Sequence, residues 1–430
     1  MRKIFAIAVL ALTLITSNCN RLNNFDLNLE PQVNTRSGEN EIIIKRNLSE
    51  STSLSKSKIY STAQKIKNLH SIGVEVLKIP DGVSIQSALE DLRANSDIEY
   101  AEPNYKRKMA LVENPDKNNS ETKIMSNDKI KAFSASTFFN DPDIKLQYAL
   151  ENMEAEKAWK INTGSENIII AVVDTGADLN HPDLKDNLVN GYTAINGTDS
   201  PNDDNGHGTH VSGIIAAIAN NQRGIAGLAP NCKVMPIKVL SGKGEGVDSD
   251  IAEGIVWAVD HGAKIINMSL GGPEEGKTLD NALKYAFNSN VLVVSSMGND
   301  GKKIKNYPAS YKNVIAVGAT NQKNDLASFS NTGEWISVVA PGYKIHSTFP
   351  TYKVDLSRLN LPNNYASLSG TSMSSPYVAA LAGLIWSKNP SMSRADVRKK
   401  LEKSTYDLGS KGFDENFGTG LVSAYKALSN

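Results

Sequence analysis

The chain has 430 residues, and its 46 Lys and Arg are matched by 46 Asp and Glu, so the formal net charge is zero. That balance gives no reason to expect nucleic acid or an anionic membrane surface as a partner. A hydrophobic share of 40% is ordinary for globular proteins and ample for a core, and the length points to more than one folding unit.

The first segment reads as a sorting signal. Arg2 and Lys3 precede the apolar run IFAIAVLALTLIT, too short to span a bilayer and followed by small polar residues. Residues 1–19 are therefore expected to be a signal peptide on an exported protein, secreted or held at the cell envelope. The chain has two cysteines, Cys19 and Cys232. Cys19 stands directly after the apolar run, where bacterial lipoproteins carry the cysteine that is acylated and anchors them to a membrane. The alternative is a plain secretory signal with an incidental Cys. Either way no intramolecular disulfide is expected, and Cys232 reads as a small buried hydrophobe.

Residues 20–40 are polar and Asn-rich, like a tether. Over 41–108, EIIIKR, GVEVLKIP and IEYAEPNY predict strands, while STAQKIKNL and SIQSALEDLRAN predict helices, giving a small α+β unit. Residues 109–137 lack periodicity and read as a linker open to proteolytic nicking. Over 138–430, NIIIAVVD, CKVMPIKVL, AKIINMSL, NVLVVSS and NVIAVGAT predict strands. Helical patterns such as THVSGIIAAIAN, DIAEGIVWAVDHG and LDNALKYAFNS lie between them. Uninterrupted apolar runs suit strands buried on both faces, so the fold class is α/β, a doubly wound and mostly parallel sheet. Ligands of such sheets sit beyond the carboxyl ends of the strands, which is where the chemistry is sought.

Asp174 closes the first of these strands in IIIAVVDTG. His207 lies between two glycines in DDNGHGTHVSG as a helical pattern begins, and imidazole is the side chain suited to pass a proton near neutral pH. In SLSGTSMSSPYVAALAGLIW, Ser372 stands at the start of an apolar helix, beside free backbone N–H groups and the positive end of the helix dipole. Pro376 is expected in the first turns, where its missing N–H costs little. Asn299, in VLVVSSMGND, follows a strand and a glycine, so its amide can donate into the same crevice. Taken singly, each residue has a plain alternative as a cap or turn former.

Asp, His and Ser in that order, in VVDTGADLNHPDL, NGHGTHVSGIIAA and GTSMSSP, together with SLGG and MGN, resemble the subtilisin-like serine proteases, the subtilase family. The resemblance spans about 141–430. It implies that Ser372 is the nucleophile, His207 the general base and acid, and Asp174 the group that orients the imidazole. It implies further that Asn299 and the Ser372 N–H form the oxyanion hole. Ser269, Leu270, Gly271 and Gly272 would pair with the substrate main chain, and Met297 and Gly298 would border the side-chain pocket. Ser374 and Tyr377 stand where Ala and His are usual, and Met297 replaces a smaller residue, which could narrow that pocket.

In some members of the family a calcium ion sits at positions matching Asp141, Asp183 and Asn221, with the carbonyls of Arg223 and Ile225 as further ligands. A hard cation wanting six to eight oxygens suits that set. The α+β unit resembles the ferredoxin-like propeptide of these proteases, an intramolecular inhibitor, with the processing bond in 109–137. The expected protein is thus an autoprocessed serine endopeptidase, made as a zymogen, monomeric and acting on polypeptides. The competing readings are an inactive protease fold serving as a binding module, and an esterase using the same residues. No HExxH motif supports a metalloprotease.

Overall fold

A computed structural model of the chain describes residues 37–47, 57–116 and 138–429. The signal segment, Cys19, most of the tether and the linker from residue 117 onward lie outside the described residues.

The N-terminal unit comprises β1 (Ser37–Arg46), α1 (Lys58–Thr62), β2 (Gln64–Leu69), β3 (Val74–Lys78), α2 (Ile85–Arg93) and β4 (Ile98–Met109). Its strands form an antiparallel sheet in the order β4-β1-β3-β2. The run Ile42-Ile43-Ile44 shows why this strand is apolar on both faces. Ile42 and Ile44 pack with Leu77, Leu89 and Leu92 under α2, whereas Ile43 joins Val76 and Tyr100 in a second cluster that includes Leu279 and Leu283 of the larger unit. The sheet therefore has helix on one face and the larger unit on the other. STAQKIKNL, expected as a helix, is instead the end of α1 followed by edge strand β2. Pairing with β3 satisfies its backbone, and its mostly exposed side chains carry little helical stripe to bury.

The larger unit runs α3 (Tyr148–Asn152), α4 (Ala155–Trp159), β5 (Ile169–Asp174), β6 (Tyr192–Thr193), α5 (His207–Ala216), β7 (Lys233–Lys238), β8 (Glu245–Val247) and α6 (Asp248–Asp260). Next come β9 (Ile265–Met268), β10 (Leu270–Gly271), α7 (Lys277–Asn288), β11 (Leu292–Ser296), β12 (Ile315–Thr320) and β13 (Val338–Pro341). It ends with β14 (Ile345–Phe349), β15 (Asn364–Leu368), α8 (Thr371–Lys388), α9 (Arg394–Lys403), β16 (Thr405–Tyr406), β17 (Leu421–Val422) and α10 (Ala424–Ser429).

The main sheet has the order β16-β17-β13-β12-β11-β9-β5-β7-β6, parallel except for the β16–β17 pair. The chain leaves β5 for β7 on one side and returns to β9 on the other. The strand order reverses at β5, so the crevice opens at Asp174. Helix α8 is buried from Thr371 to Trp386 and forms the centre of the largest apolar cluster. Cys232 lies fully buried in that cluster, its thiol pushed up to about 12 by burial, as a small hydrophobe would be. Among the described residues no helix is long and apolar enough to cross a membrane.

Candidate active site

Asp174 ends β5 and His207 begins α5, and their loops are locked together. Asp203 accepts from the backbone N–H groups of Asn205, Gly206 and Thr209, and Thr175 Oγ1 donates to it at 2.9 Å. Thr175 Oγ1 in turn accepts from Gly208 N at 2.9 Å. A Cβ on Gly208 would stand 2.1 Å from the Gly176 carbonyl, so only glycine lets the helix start come this close to the strand end. The result is His207 Nδ1 at 2.8 Å from Asp174 Oδ1, both side chains fully buried, with His207 Nε2 left without a partner among the described residues.

Ser372 is the second residue of α8. Its Oγ donates to the Ser269 carbonyl at 2.9 Å rather than to His207. Pro376 is not at the helix edge but one turn inside it, so the Ser372 carbonyl lacks its helical donor. Ser269 Oγ supplies that hydrogen bond at 2.9 Å, and it also contacts Ser375 Oγ and Asn267 Nδ2. The hydroxyl-rich head of this helix is thus a network that ties the Ser372 backbone to the segment before β10.

Asn299 accepts from Thr371 N and Thr371 Oγ1, each at 2.9 Å, which leaves its Nδ2 a buried donor without a partner. An orphaned buried donor is costly and is expected only where an acceptor comes to it. Gly370, at φ +153°, lies between Asn299 and an incoming chain. A Cβ there would stand 3.2 Å from Asn299 Nδ2 and 2.5 Å from the Ala110 carbonyl oxygen.

The incoming chain is the protein's own. β4 runs to Met109, beyond the boundary expected at 108, and its end lies between β8 and β10 as the middle strand of an antiparallel trio. Met109 N donates to the Gly244 carbonyl (2.9 Å), Ala110 N to Ser269 (3.1 Å) and Val112 N to Ser369 (2.9 Å). Residues 111–116, expected as linker, form one wall of a cavity of about 620 Å³ whose other walls include Lys344, Leu359 and Leu361. Main-chain pairing of this kind needs no side-chain periodicity, which is why the segment read as irregular. Two residues of β4 also cap helices that have no side-chain cap of their own. Glu102 accepts from Lys277 N and Thr278 N at 2.7 Å, and Asn104 accepts from Ser249 N at 3.0 Å.

Of the expected pocket residues, Gly271 pairs with Lys108, Leu270 faces the core, and Gly272 exchanges backbone hydrogen bonds with Tyr307. Met297 is turned away, into a buried cluster with Ala309, Ala316, Ile336 and Val339, where an apolar thioether is better solvated by carbon than at a polar rim. Asn306, missed in the sequence, lies instead beside the two glycines of these segments. A Cβ on Gly271 would meet Asn306 Nδ2 at 2.2 Å, and one on Gly298 would meet it at 3.3 Å, so its amide is wedged between the two glycines. Nothing in the sequence marks it, because it lies seven residues beyond Asn299 in an irregular loop.

Three of the side chains expected to hold calcium, those of Asp141, Asp183 and Asn221, belong to one hydrogen-bonded cluster. Asp183 accepts from Asn221 Nδ2 at 2.6 Å and from Ile225 N at 3.1 Å, and Asp141 accepts from Asn220 N and Asn221 N. Burial pushes the Asp183 carboxyl up to about 6, and Asp141 nearby adds to the effect. The donor set is two carboxylates, an amide and loop carbonyls, all oxygen, which fits a hard divalent cation. His210, the other histidine of α5, is a structural group. Its Nε2 lies 3.0 Å from the Ile345 carbonyl and 3.1 Å from that of Ala366, and burial, with His207 nearby, lowers its pKa to about 3.

The subtilase family model matches residues 165–420, and the model of the fervidolysin N-terminal prodomain matches 38–104. The chain is 38% identical to a thermophilic serine proteinase of Bacillus sp. (strain AK1), over 82% of this chain and 78% of that one. It is 42% identical to thermitase of Thermoactinomyces vulgaris, over 67% of this chain and 98% of the relative. The crystal structure of fervidolysin from Fervidobacterium pennivorans, described as a keratinolytic enzyme related to subtilisin, superposes with a TM-score of 0.78 at 31% identity. That match covers 92% of this chain but spans only 62% of the fervidolysin chain. With an orienting carboxylate on an imidazole, a serine at a helix start and a prodomain strand in the cleft, the chain belongs to the subtilase family of serine endopeptidases.

Proposed function

We propose that the protein is a proenzyme that cleaves its own Ala110–Leu111 bond through Asp174, His207 and Ser372, and afterwards hydrolyses polypeptides. One observation carries this reading: the Ala110 carbonyl lies against Gly370 beside the unpartnered Asn299 amide, with the chain pinned before and after it by Ser269 and Ser369. Rotation of the Ser372 hydroxyl from the Ser269 carbonyl to His207 Nε2 arms the nucleophile. Ser372 Oγ then attacks the Ala110 carbonyl carbon and His207 takes its proton. The developing oxyanion is stabilised by Asn299 Nδ2 and the Ser372 N–H. His207 returns the proton to the Leu111 nitrogen as the C–N bond breaks, and water hydrolyses the acyl-enzyme by the same route. The prodomain remains bound through β4 as an inhibitor until it is removed.

A calcium ion held by Asp141, Asp183, Asn221 and the carbonyls of Arg223 and Ile225 would bind the segment 138–144 to the loop after α5; its contribution there is structural. We also propose export through residues 1–19, with Cys19 as the point of lipid attachment. Radiolabelled fatty acid that enters the wild-type protein but not Cys19→Ser supports the anchor, and labelling of neither protein removes it.

The deciding experiment expresses full-length wild type and Ser372→Ala side by side. Wild type should yield a fragment beginning Leu111-Val112-Glu113, with Ser372→Ala remaining intact. An active preparation whose chain is uncut would overturn the reading. A fluorophosphonate probe that fails to label wild type would instead favour the binding-module reading.

A further inference from the structure

Among the described residues, the largest fully buried side chain comes from the segment in the cleft. Arg107, three residues before Ala110, is fully buried. Its Nε donates to Asp248 Oδ1 at 2.6 Å and its Nη2 to Asp248 Oδ2 at 2.7 Å, a two-pronged pair whose carboxylate is also fully buried. Its Nη1 lies 3.9 Å from Glu274 Oε2, and both atoms otherwise lack partners. The walls are fitted to this shape. A Cβ on Gly272 would stand 2.8 Å from Nη1, and one on Gly276 would stand 2.5 Å from Asp248 Oδ2. Burial alone would lower the guanidinium pKa, but the Asp248 carboxylate more than offsets it and the net shift is upward.

Asp248, Gly272, Glu274 and Gly276 all belong to the larger unit, so this pocket stays with the enzyme when the prodomain leaves. It then holds an acidic pair made for a planar, forked cation. A carboxylate buried beside a second acid is costly to leave without a partner. Arg, with its fixed fork, meets that geometry better than the point charge of Lys.

We infer that Asp248, assisted by Glu274, is a specificity-determining residue that selects polypeptide substrates with arginine three residues before the residue whose carbonyl is attacked. This rests on the proteolytic reading above, and on the main-chain register that places Arg107 opposite Gly246 while Ala110 reaches Ser269.

The test uses the mature wild-type enzyme and internally quenched peptides carrying the sequence Arg-Lys-Met-Ala-Leu-Val, with Arg replaced in turn by Lys, citrulline and Ala. The Arg peptide should be cut at Ala-Leu with kcat/KM about 10²-fold above the Ala and citrulline peptides, with Lys between them. Equal rates for all four overturn the inference while leaving the protease reading intact. Cleavage of none of the four, with no fluorophosphonate labelling, overturns the protease reading itself. Asp248→Leu, with competent sites counted by fluorophosphonate titration, should reduce the Arg-to-Ala ratio to within a few-fold. An unchanged ratio in that variant removes Asp248 from the role. If the variant fails to fold, the wild-type comparison still decides whether the arginine is read.

Discussion

Ser372 and Ser269 are joined by two hydrogen bonds of 2.9 Å: the Ser372 hydroxyl donates to the Ser269 carbonyl, and the Ser269 hydroxyl donates to the Ser372 carbonyl. The second exists because Pro376 removes the helical donor that would otherwise reach that carbonyl. Ser269→Ala should therefore cost about 1–3 kcal/mol, the scale of a buried polar group losing its partner. Adding Pro376→Ala restores a backbone N–H and should recover part of that loss. Urea melts of the four variants in a Ser372→Ala background check this, and a purely additive cycle would refute the coupling.

Among the described residues the Asn299 Nδ2 has no hydrogen-bond partner, and the Ala110 carbonyl oxygen lies nearby against Gly370. Asn299→Ala is expected to lower kcat roughly 10²–10³-fold, the range known for the corresponding subtilisin side chain, with little change in KM. Steady-state kinetics on one peptide settles it, and a defect carried by KM would contradict the assignment.

Asn306 is wedged between Gly271 and Gly298, and Ala110 is the residue proposed above to be cleaved. Asn306→Gly should enlarge the side-chain pocket. The ratio of kcat/KM for a Phe peptide over an Ala peptide at the cleaved position is expected to rise at least about 10-fold, since each buried methylene is worth about 0.8 kcal/mol. No change in the ratio would place the pocket elsewhere.

Asn221 joins two carboxylates, its backbone N–H donating to Asp141 and its side-chain Nδ2 to Asp183. With EDTA in excess, the melting temperature of the mature protein should fall by several degrees or more, because binding to the folded form alone stabilises it by RT ln(1 + [L]/Kd). Added calcium should restore it, and Asp183→Ala should make the protein insensitive to both. Identical melting curves with and without EDTA would discard the site.

His210 is buried with His207 on its own helix and His346 on β14 as neighbouring bases, and burial lowers its pKa to about 3 from the usual 6.5 of a histidine. The unfolded chain binds a proton here below about pH 6.5, and the folded protein does not until about pH 3. The group's contribution is thus present at pH 7 and falls as the pH drops through that window, by up to about 1.4 kcal/mol per unit. Comparing urea midpoints at pH 7 and 5 for Ser372→Ala with and without His210→Gln should show the smaller acid loss in the Gln variant. Equal losses would remove His210 as the cause.

The residues proposed to react stand out in the sequence because they sit in segments with a distinctive local chemistry. Asp174 closes a strand, His207 opens a helix between glycines, and Ser372 heads a buried helix. The strands and helices of the larger unit likewise follow their apolar periods closely. The misses share a cause. Met297 reads as a pocket wall until neighbouring side chains show it facing the core, and β2 reads as helix until β3 supplies an edge to pair with. Asn306, Arg107 and the stretch 109–116 carry no local signature at all.

By itself the sequence determined most of the elements and singled out the groups proposed to react, since strand and helix periods and the polar breaks between them are written in neighbouring residues. Only the tertiary structure decided what occupies the cleft, which bond lies over Asn299, and that Arg107 meets Asp248. Those relationships join residues more than a hundred positions apart through main-chain pairing and buried charge, and the energy that selects them exists only once the surfaces are brought together and water is excluded.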